Sequence, residues 1–146
     1  FIAQTIQAVR FFRLLESESK YESLLLGFCN AYGISNWREY VRTLFSLFGL
    51  SKEGEGYIPN DLNIDIDSLI TRSVIERLSI SSEENNIPYS SKNEYDQGGN
   101  SDYKMFRDRP LFRLTDGDYV IYNRSFLVDR LYSSLYFDFK KIVVEL

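Results

Sequence analysis

The 146-residue sequence has no histidine and a single cysteine, and both shortages narrow its chemistry. Without imidazole the chain cannot assemble a Ser-His-Asp or Cys-His nucleophile pair, an imidazole metal site or an imidazole general base. Cys29 has no second cysteine, which excludes an internal disulfide and a zinc knuckle. It stands among Leu24, Leu25, Leu26 and Phe28 and reads as a small packed hydrophobe. No apolar run approaches the roughly 20 residues that span a bilayer, and the N-terminus lacks the basic, apolar and small-residue succession of a secretion signal. A cytoplasmic chain without membrane contact is therefore expected, and nothing calls for a cofactor or a metal.

What is present suits one folded module over residues 1–146: 44% apolar and 26% charged residues are ordinary for a globular domain. The chain opens at Phe1 inside what reads as a helix and stops at Leu146 after an apolar run, the pattern expected of a piece of a longer protein.

The first half carries helical spacing. Ile2, Ile6, Val9, Phe12 and Leu15, widened by Phe11 and Leu14, predict an amphipathic helix from Ile2 to about Glu16. Ser19 and Glu22 form a capping-box pattern before the block Leu24 to Phe28, and Gly33 followed by Ile34 predicts a left-handed C-terminal cap. Asn36 and Glu39 form another capping box, with Trp37, Tyr40, Val41, Leu44, Phe45 and Phe48 on one face of a third helix that Gly49 and Leu50 would end. The Gly33 turn resembles that of a DNA-reading helix-turn-helix. The positions such a motif buries are Glu39 and Arg42 here, however, so an ordinary helical hairpin is the better reading.

Residues 51–60 read as a loop, Leu62, Ile64 and Ile66 as a short period-two stretch, and about Asp67 to Leu78 as a helix burying Leu69, Ile70, Val74 and Leu78. Residues 79–104 are dominated by Ser, Asn, Glu, Asp and Gly, with Ile87 almost the only aliphatic side chain. Such a stretch cannot bury enough surface to offset its ordering entropy, so a flexible polar loop is expected. Leu111 to Thr115, Asp116-Gly117 and Asp118 to Tyr122 then predict a β-hairpin with a two-residue turn. A helix follows, capped by Asn123 or Ser125, with Phe126, Leu127, Leu131, Tyr132 and Leu135 buried up to about Tyr136. Ile142-Val143-Val144 suits a strand or a last helical turn. The fold class is α+β: a mostly helical bundle with a small antiparallel hairpin near the C-terminus.

The net charge of −4 is unevenly spread, with acid concentrated in residues 51–103. A nucleic-acid footprint needs a basic face, and the candidate is Lys104, Arg107, Arg109 and Arg113, interleaved with Tyr103, Phe106 and Phe112. Arg107, Arg109 and Arg113 share parity along an extended segment and would project together toward phosphate, although Asp102 and Asp108 are placed to pair with them. Loop tyrosines Tyr57, Tyr89, Tyr95 and Tyr103 would add stacking or simply be solvated.

Asp61, Asn63, Asp65 and Asp67 imitate the start of a calcium loop, but Ile66 and Arg72 replace its glycine and closing glutamate. The acid-x-Lys triplet of magnesium-dependent restriction-type nucleases occurs as Glu18-Ser19-Lys20, Asp102-Tyr103-Lys104 and Asp138-Phe139-Lys140. With 21 acids and 6 lysines that is near chance frequency, and no catalytic residue is assigned.

Two stretches together resemble the interior of large uncharacterised bacterial proteins. The first runs from Ile6 through Lys20-Tyr21-Glu22 to Asn36-Trp37-Arg38-Glu39-Tyr40, the second from Phe106-Arg107-Asp108-Arg109-Pro110-Leu111 to Leu135-Tyr136-Phe137. In those defence-associated proteins the corresponding segments precede a restriction-nuclease-like region. The resemblance implies a non-catalytic scaffold or interaction module that supports a neighbouring domain or protein partner, with any nuclease chemistry beyond Leu146. The alternatives are a nucleic-acid-binding module using the basic patch, and part of a magnesium-dependent nuclease.

Overall fold

A computed structural model of the chain describes residues 2–54, 57–58, 70–81, 107–115, 117–121 and 124–145. The fold is α+β, mostly helical with a small sheet. In chain order the elements are α1 (Ile2–Glu16), a 3-10 turn (Ser19–Tyr21), α2 (Glu22–Tyr32), α3 (Trp37–Gly54), β1 (Tyr57–Ile58), α4 (Arg72–Arg77), β2 (Ser79–Ser81), β3 (Leu111–Arg113), β4 (Tyr119–Ile121), α5 (Arg124–Asp129) and α6 (Ser133–Glu145).

The helix ends follow their caps where the caps are real. Gly33 adopts φ +64°, its amide donates to the Asn30 carbonyl at 3.2 Å and the Ile34 amide to the Cys29 carbonyl at 2.9 Å. This pair satisfies two orphan carbonyls and folds Ile34 onto the core. Asn36 Oδ1 accepts from the Arg38 amide at 2.8 Å, while Glu39 Oε2 accepts from the amides of Ser35 and Asn36 at 2.9 and 3.1 Å. That is the reciprocal box expected at the start of α3. The Ser19 box does not form: a 3-10 turn occupies Ser19–Tyr21 and α2 begins only at Glu22, with no side-chain cap.

Gly49 does not end α3, which continues to Gly54. A helix tolerates an interior glycine at about 1 kcal/mol, and Leu47, wholly buried, anchors this stretch to the core. Residues 51–54 are thus helical and 57–58 a strand, where a loop was expected. Of the helix expected over about Asp67 to Leu78, Asp67 to Leu69 lie outside the described residues, and the described part starts at Arg72 because Thr71 is extended at φ −89°, ψ 119°. The Thr71 amide is held instead by Thr43 Oγ1 at 2.9 Å, and that hydroxyl donates to the Glu39 carbonyl.

The sheet has four strands in the order β1-β4-β3-β2, where only a hairpin was expected. β3 and β4 are antiparallel, β1 joins β4 antiparallel, and β2 joins β3 in parallel. Ser79–Ser81 is therefore strand and not polar loop. Ile80 in this strand is buried at 3% exposure. A parallel pair needs a connection of a dozen or more residues, and the chain between Ser81 and Leu111 supplies the length. The hairpin register, Leu111 opposite Ile121 and Arg113 opposite Tyr119, leaves a three-residue loop, 115–117, and not the two-residue turn. Gly117 at φ +94° donates to the Leu114 carbonyl and the Leu114 amide to that of Asp118, the geometry of a turn followed by a glycine bulge. This register puts Leu111 and Ile121 on the same, core-facing side; a one-residue slip would have turned one of them out.

The C-terminal helix is broken. α5 stops at Asp129, a turn takes residues 130–132, and α6 runs to Glu145, so Ile142-Val143-Val144 is helical. Tyr132, expected in the buried stripe, is 65% exposed. The core is an aromatic stack joining α1, α2, α3 and α6. Phe12 lies flat on Trp37, with centroids 4.9 Å apart and planes at 4°, and Phe28 lies flat on Phe139 at 5.0 Å and 5°. On α1 the buried residues are Ala8, Phe12 and Leu15. Ile2, Ile6 and Leu14, which the periodicity placed in the stripe or at its margin, are exposed.

Candidate functional site

The turn between α5 and α6 turns Arg130 inward, and the residue is 2% exposed. Arg130 Nη2 donates to both Tyr32 Oη and Asp138 Oδ2, and Tyr32 Oη donates to Asp138 Oδ2 at 2.6 Å. The Arg130 carbonyl, left over where α5 ends, accepts from Tyr40 Oη at 2.6 Å. Burial opposes the Arg130 charge, but Tyr32, Tyr40 and Asp138 outweigh it and hold its pKa above the ordinary arginine value. Burial pushes the Tyr40 hydroxyl up to about 12 and that of Tyr32 well above its usual value, so both stay protonated donors at neutral pH.

This cluster forms one wall of a groove of about 450 Å³, into which Arg107 and Arg109 also converge. Arg77 and Lys141 complete its basic lining, against Asp108 and Asp138. Arg107 Nε lies 3.8 Å from Asp108 and its guanidinium 5.9 Å from the Phe137 ring. Two of the residues expected to form a basic patch, Arg107 and Arg109, are thus brought together. Arg113 is not with them: it lies on β3 in a separate depression with Glu76 and Tyr119. The shared parity fails because residues 107–108 are helical, not extended. Lys104 lies outside the described residues, as do Leu62 to Asp67 with the imitation calcium loop, Asp102, and the tyrosines Tyr89, Tyr95 and Tyr103. Arg130 and its partners, separated by 98 and 8 positions from Tyr32 and Asp138, had no sequence signal.

The remaining features carry less chemistry. Among the described residues no group of three His, Cys, Asp or Glu side chains is placed to hold a metal ion. Of the acid-x-Lys triplets, Glu18 and Lys20 pair on the surface at 3.2 Å, and Asp138 is committed to Arg130. Cys29 lines a groove of about 540 Å³ with Glu22 and Trp37. Burial and the Glu39 charge push its thiol pKa up, away from a reactive thiolate.

At the rim of that groove Glu16 receives both guanidinium nitrogens of Arg38, at 2.9 and 3.0 Å, and the Trp37 indole N–H at 3.0 Å. Hydrogen bonds from Arg38 and then Trp37 lower its pKa from 4.5 to about 2. A lowered carboxylate stabilises the fold above pH 4.5 and loses that contribution as pH falls toward 2. Glu16 and Arg38 are 43% and 44% exposed, so solvent screens the pair and its contribution is modest. The expected result is that the melting temperature of Glu16→Gln falls less steeply between pH 4.5 and 2 than that of the unaltered chain. Parallel acid limbs would refute the assignment.

A second surface is apolar. Ala8 and Phe11 of α1, with Leu131, Tyr132, Leu135 and Tyr136, line a groove of about 330 Å³. Tyr132 and Tyr136 are 65% and 64% exposed. Ile2, Ile6 and Leu14 on α1, and Phe137, Val143 and Val144 on α6, are exposed as well. No helix among the described residues is long and apolar enough to cross a membrane. Compared with family models, curated proteins and solved structures, the chain matches none.

Proposed function

We propose that the chain is a non-catalytic interaction module that receives an apolar segment of a neighbouring domain or protein partner in the groove between α1 and the start of α6. The observation that carries this reading is the exposure of Phe11 on α1 and of Tyr132 and Tyr136 across from it, large apolar side chains in the lining of that groove; exposed apolar patches mark association surfaces. Tyrosine at such a surface supplies area with little conformational entropy to lose, and its hydroxyl tolerates water when the partner is absent. The raised thiol of Cys29 and the commitment of Asp138 to Arg130 support a supporting role over a chemical one. On the sequence resemblance, the neighbour is a nuclease-like domain of a cytoplasmic bacterial protein.

A neutral apolar dye such as Nile red tests the surface, since an anionic dye would also seek the basic groove. The unaltered chain should enhance its emission, and Tyr132→Glu with Tyr136→Glu should remove most of that enhancement. Exposed substitutions typically change stability within about 0.5 kcal/mol each, so the variant should melt within a few degrees of the parent. A monomeric chain that leaves the dye dark would overturn the reading. Binding of nucleic acid through Arg107 and Arg109 has weaker support, because Arg113 faces a different depression.

A further inference from the structure

The basic groove is lined by residues with two polar atoms that nothing among the described residues satisfies. Arg130 Nε and Ser134 Oγ are each shut off from bulk water and have no hydrogen-bond partner among the described residues. Their residues are 2% and 1% exposed, and both line the groove. Leaving a buried donor unmade is unfavourable, and more so when the group is charged. Folded chains leave few such atoms, and these two belong to residues four positions apart across the α5–α6 turn that line one groove, where an acceptor from outside the chain could satisfy them.

The charge around them selects that acceptor. Arg77, Arg107, Arg109, Arg130 and Lys141 stand against Asp108 and Asp138, an excess of three positive charges in a chain whose net charge is −4. Asp138 is occupied by Arg130 and Tyr32, Asp108 lies 3.8 Å from Arg107, and Asp129 also acts on Arg107 from the end of α5. Neutralising all three carboxylates still leaves two cations over. Four of the five cations are arginines, whose planar forks match tetrahedral oxyanions with two parallel donors. A serine hydroxyl beside them fits the third kind of donor such an anion takes.

We propose that this groove binds a phosphate group carried by a small molecule, with Arg130 and Ser134 at its floor and Arg77, Arg109 and Lys141 closing over it. A volume of about 450 Å³ lies within the few hundred to about 1,000 Å³ of small-molecule sites. A polyanion is the poorer fit. Nucleic-acid backbones are held by cations spread along a face, whereas these converge in one concavity and Arg113 lies outside it.

Inorganic pyrophosphate is the probe, titrated calorimetrically into the unaltered chain at low salt. The expected result is saturable binding near one equivalent, weakened about tenfold or more by Arg109→Gln with Lys141→Gln and severalfold by Ser134→Ala. These variants leave the Arg130–Asp138 pair intact, and melting temperatures confirm that they fold. Absence of binding at millimolar pyrophosphate overturns the proposal, as does binding that the variants leave unchanged. Short single- and double-stranded oligonucleotides form the second arm. If they bind and pyrophosphate fails to displace them, the groove serves a nucleic-acid backbone and the small-molecule assignment is wrong.

Discussion

Asp138→Ala is expected to destabilise the chain by about 3–5 kcal/mol, the range found when one partner of a buried ion pair is removed. The reason lies in what remains. Arg130 stays 98% enclosed beside Tyr32 and Tyr40, and neither hydroxyl supplies a full countercharge at neutral pH, since burial holds both pKa values high. Tyr32 Oη at the same time loses the carboxylate it donates to at 2.6 Å. For a chain of this length each kcal/mol shifts the melting temperature by roughly 2–4 °C, so a fall of about 6–20 °C follows. Thermal melts followed by circular dichroism read it directly.

The pair need not be a net source of stability for this to hold, and a second variant separates the two ideas. Replacing Arg130 by Met and Asp138 by Leu together removes the stranded charge and fills the space with apolar volume. If the large loss in Asp138→Ala comes from an uncompensated cation, the double variant is more stable than the single one. If the double variant is as unstable or worse, the network is held chiefly by its hydrogen bonds, including the Tyr40 bond to the Arg130 carbonyl. A drop of less than about 1 kcal/mol in Asp138→Ala would mean that water reaches Arg130, in conflict with its burial.

What could be read from the sequence was local. The span of α1, the Gly33 cap and the Asn36–Glu39 box are contests between neighbours in the chain, and residue type and spacing decide those. The hairpin was legible for the same reason, while its three-residue loop was not: Asp-Gly suits either length, and only the demand that Leu111 and Ile121 face the core selects the register. The break at residues 130–132 carries no proline or glycine. It is set from outside, by Tyr40 accepting the role of cap for a freed carbonyl and by Tyr32 and Asp138 drawing Arg130 inward. β2 was hidden because Ser79-Ile80-Ser81 is too short and too polar to read as a strand, and pairing with β3 supplies what composition does not. Of the expected basic patch, the mutual approach of Arg107 and Arg109 survives. The residues that turn it into an enclosed groove, Arg77, Arg130, Ser134 and Lys141, come from α4, the α5–α6 turn and α6.

The aromatic core makes an equally large and independent demand. Phe12→Ala is expected to cost about 3–5 kcal/mol, from lost transfer energy and the cavity left behind. Phe12 is fully buried and touches four other core rings: Trp37 face to face at 4.9 Å, and Phe28, Tyr40 and Phe139 at 5.1, 6.4 and 5.8 Å. These rings come from α2, α3 and α6, so no single helix can shift to close the hole without giving up contacts to the others. Phe11 is the control. It is the next residue on α1, meets Phe139 at 5.2 Å, but is 37% exposed, and Phe11→Ala should lose less than half as much. Phe12→Leu keeps most of the volume and should lose under about 2 kcal/mol. Urea unfolding midpoints measure all three, with an unchanged slope showing that the unfolded reference has not moved. If Phe12→Ala and Phe11→Ala prove equal, α1 is packed by its outer face as much as its inner one, and the apolar groove on that outer face is then part of the core and not a surface left open for a partner.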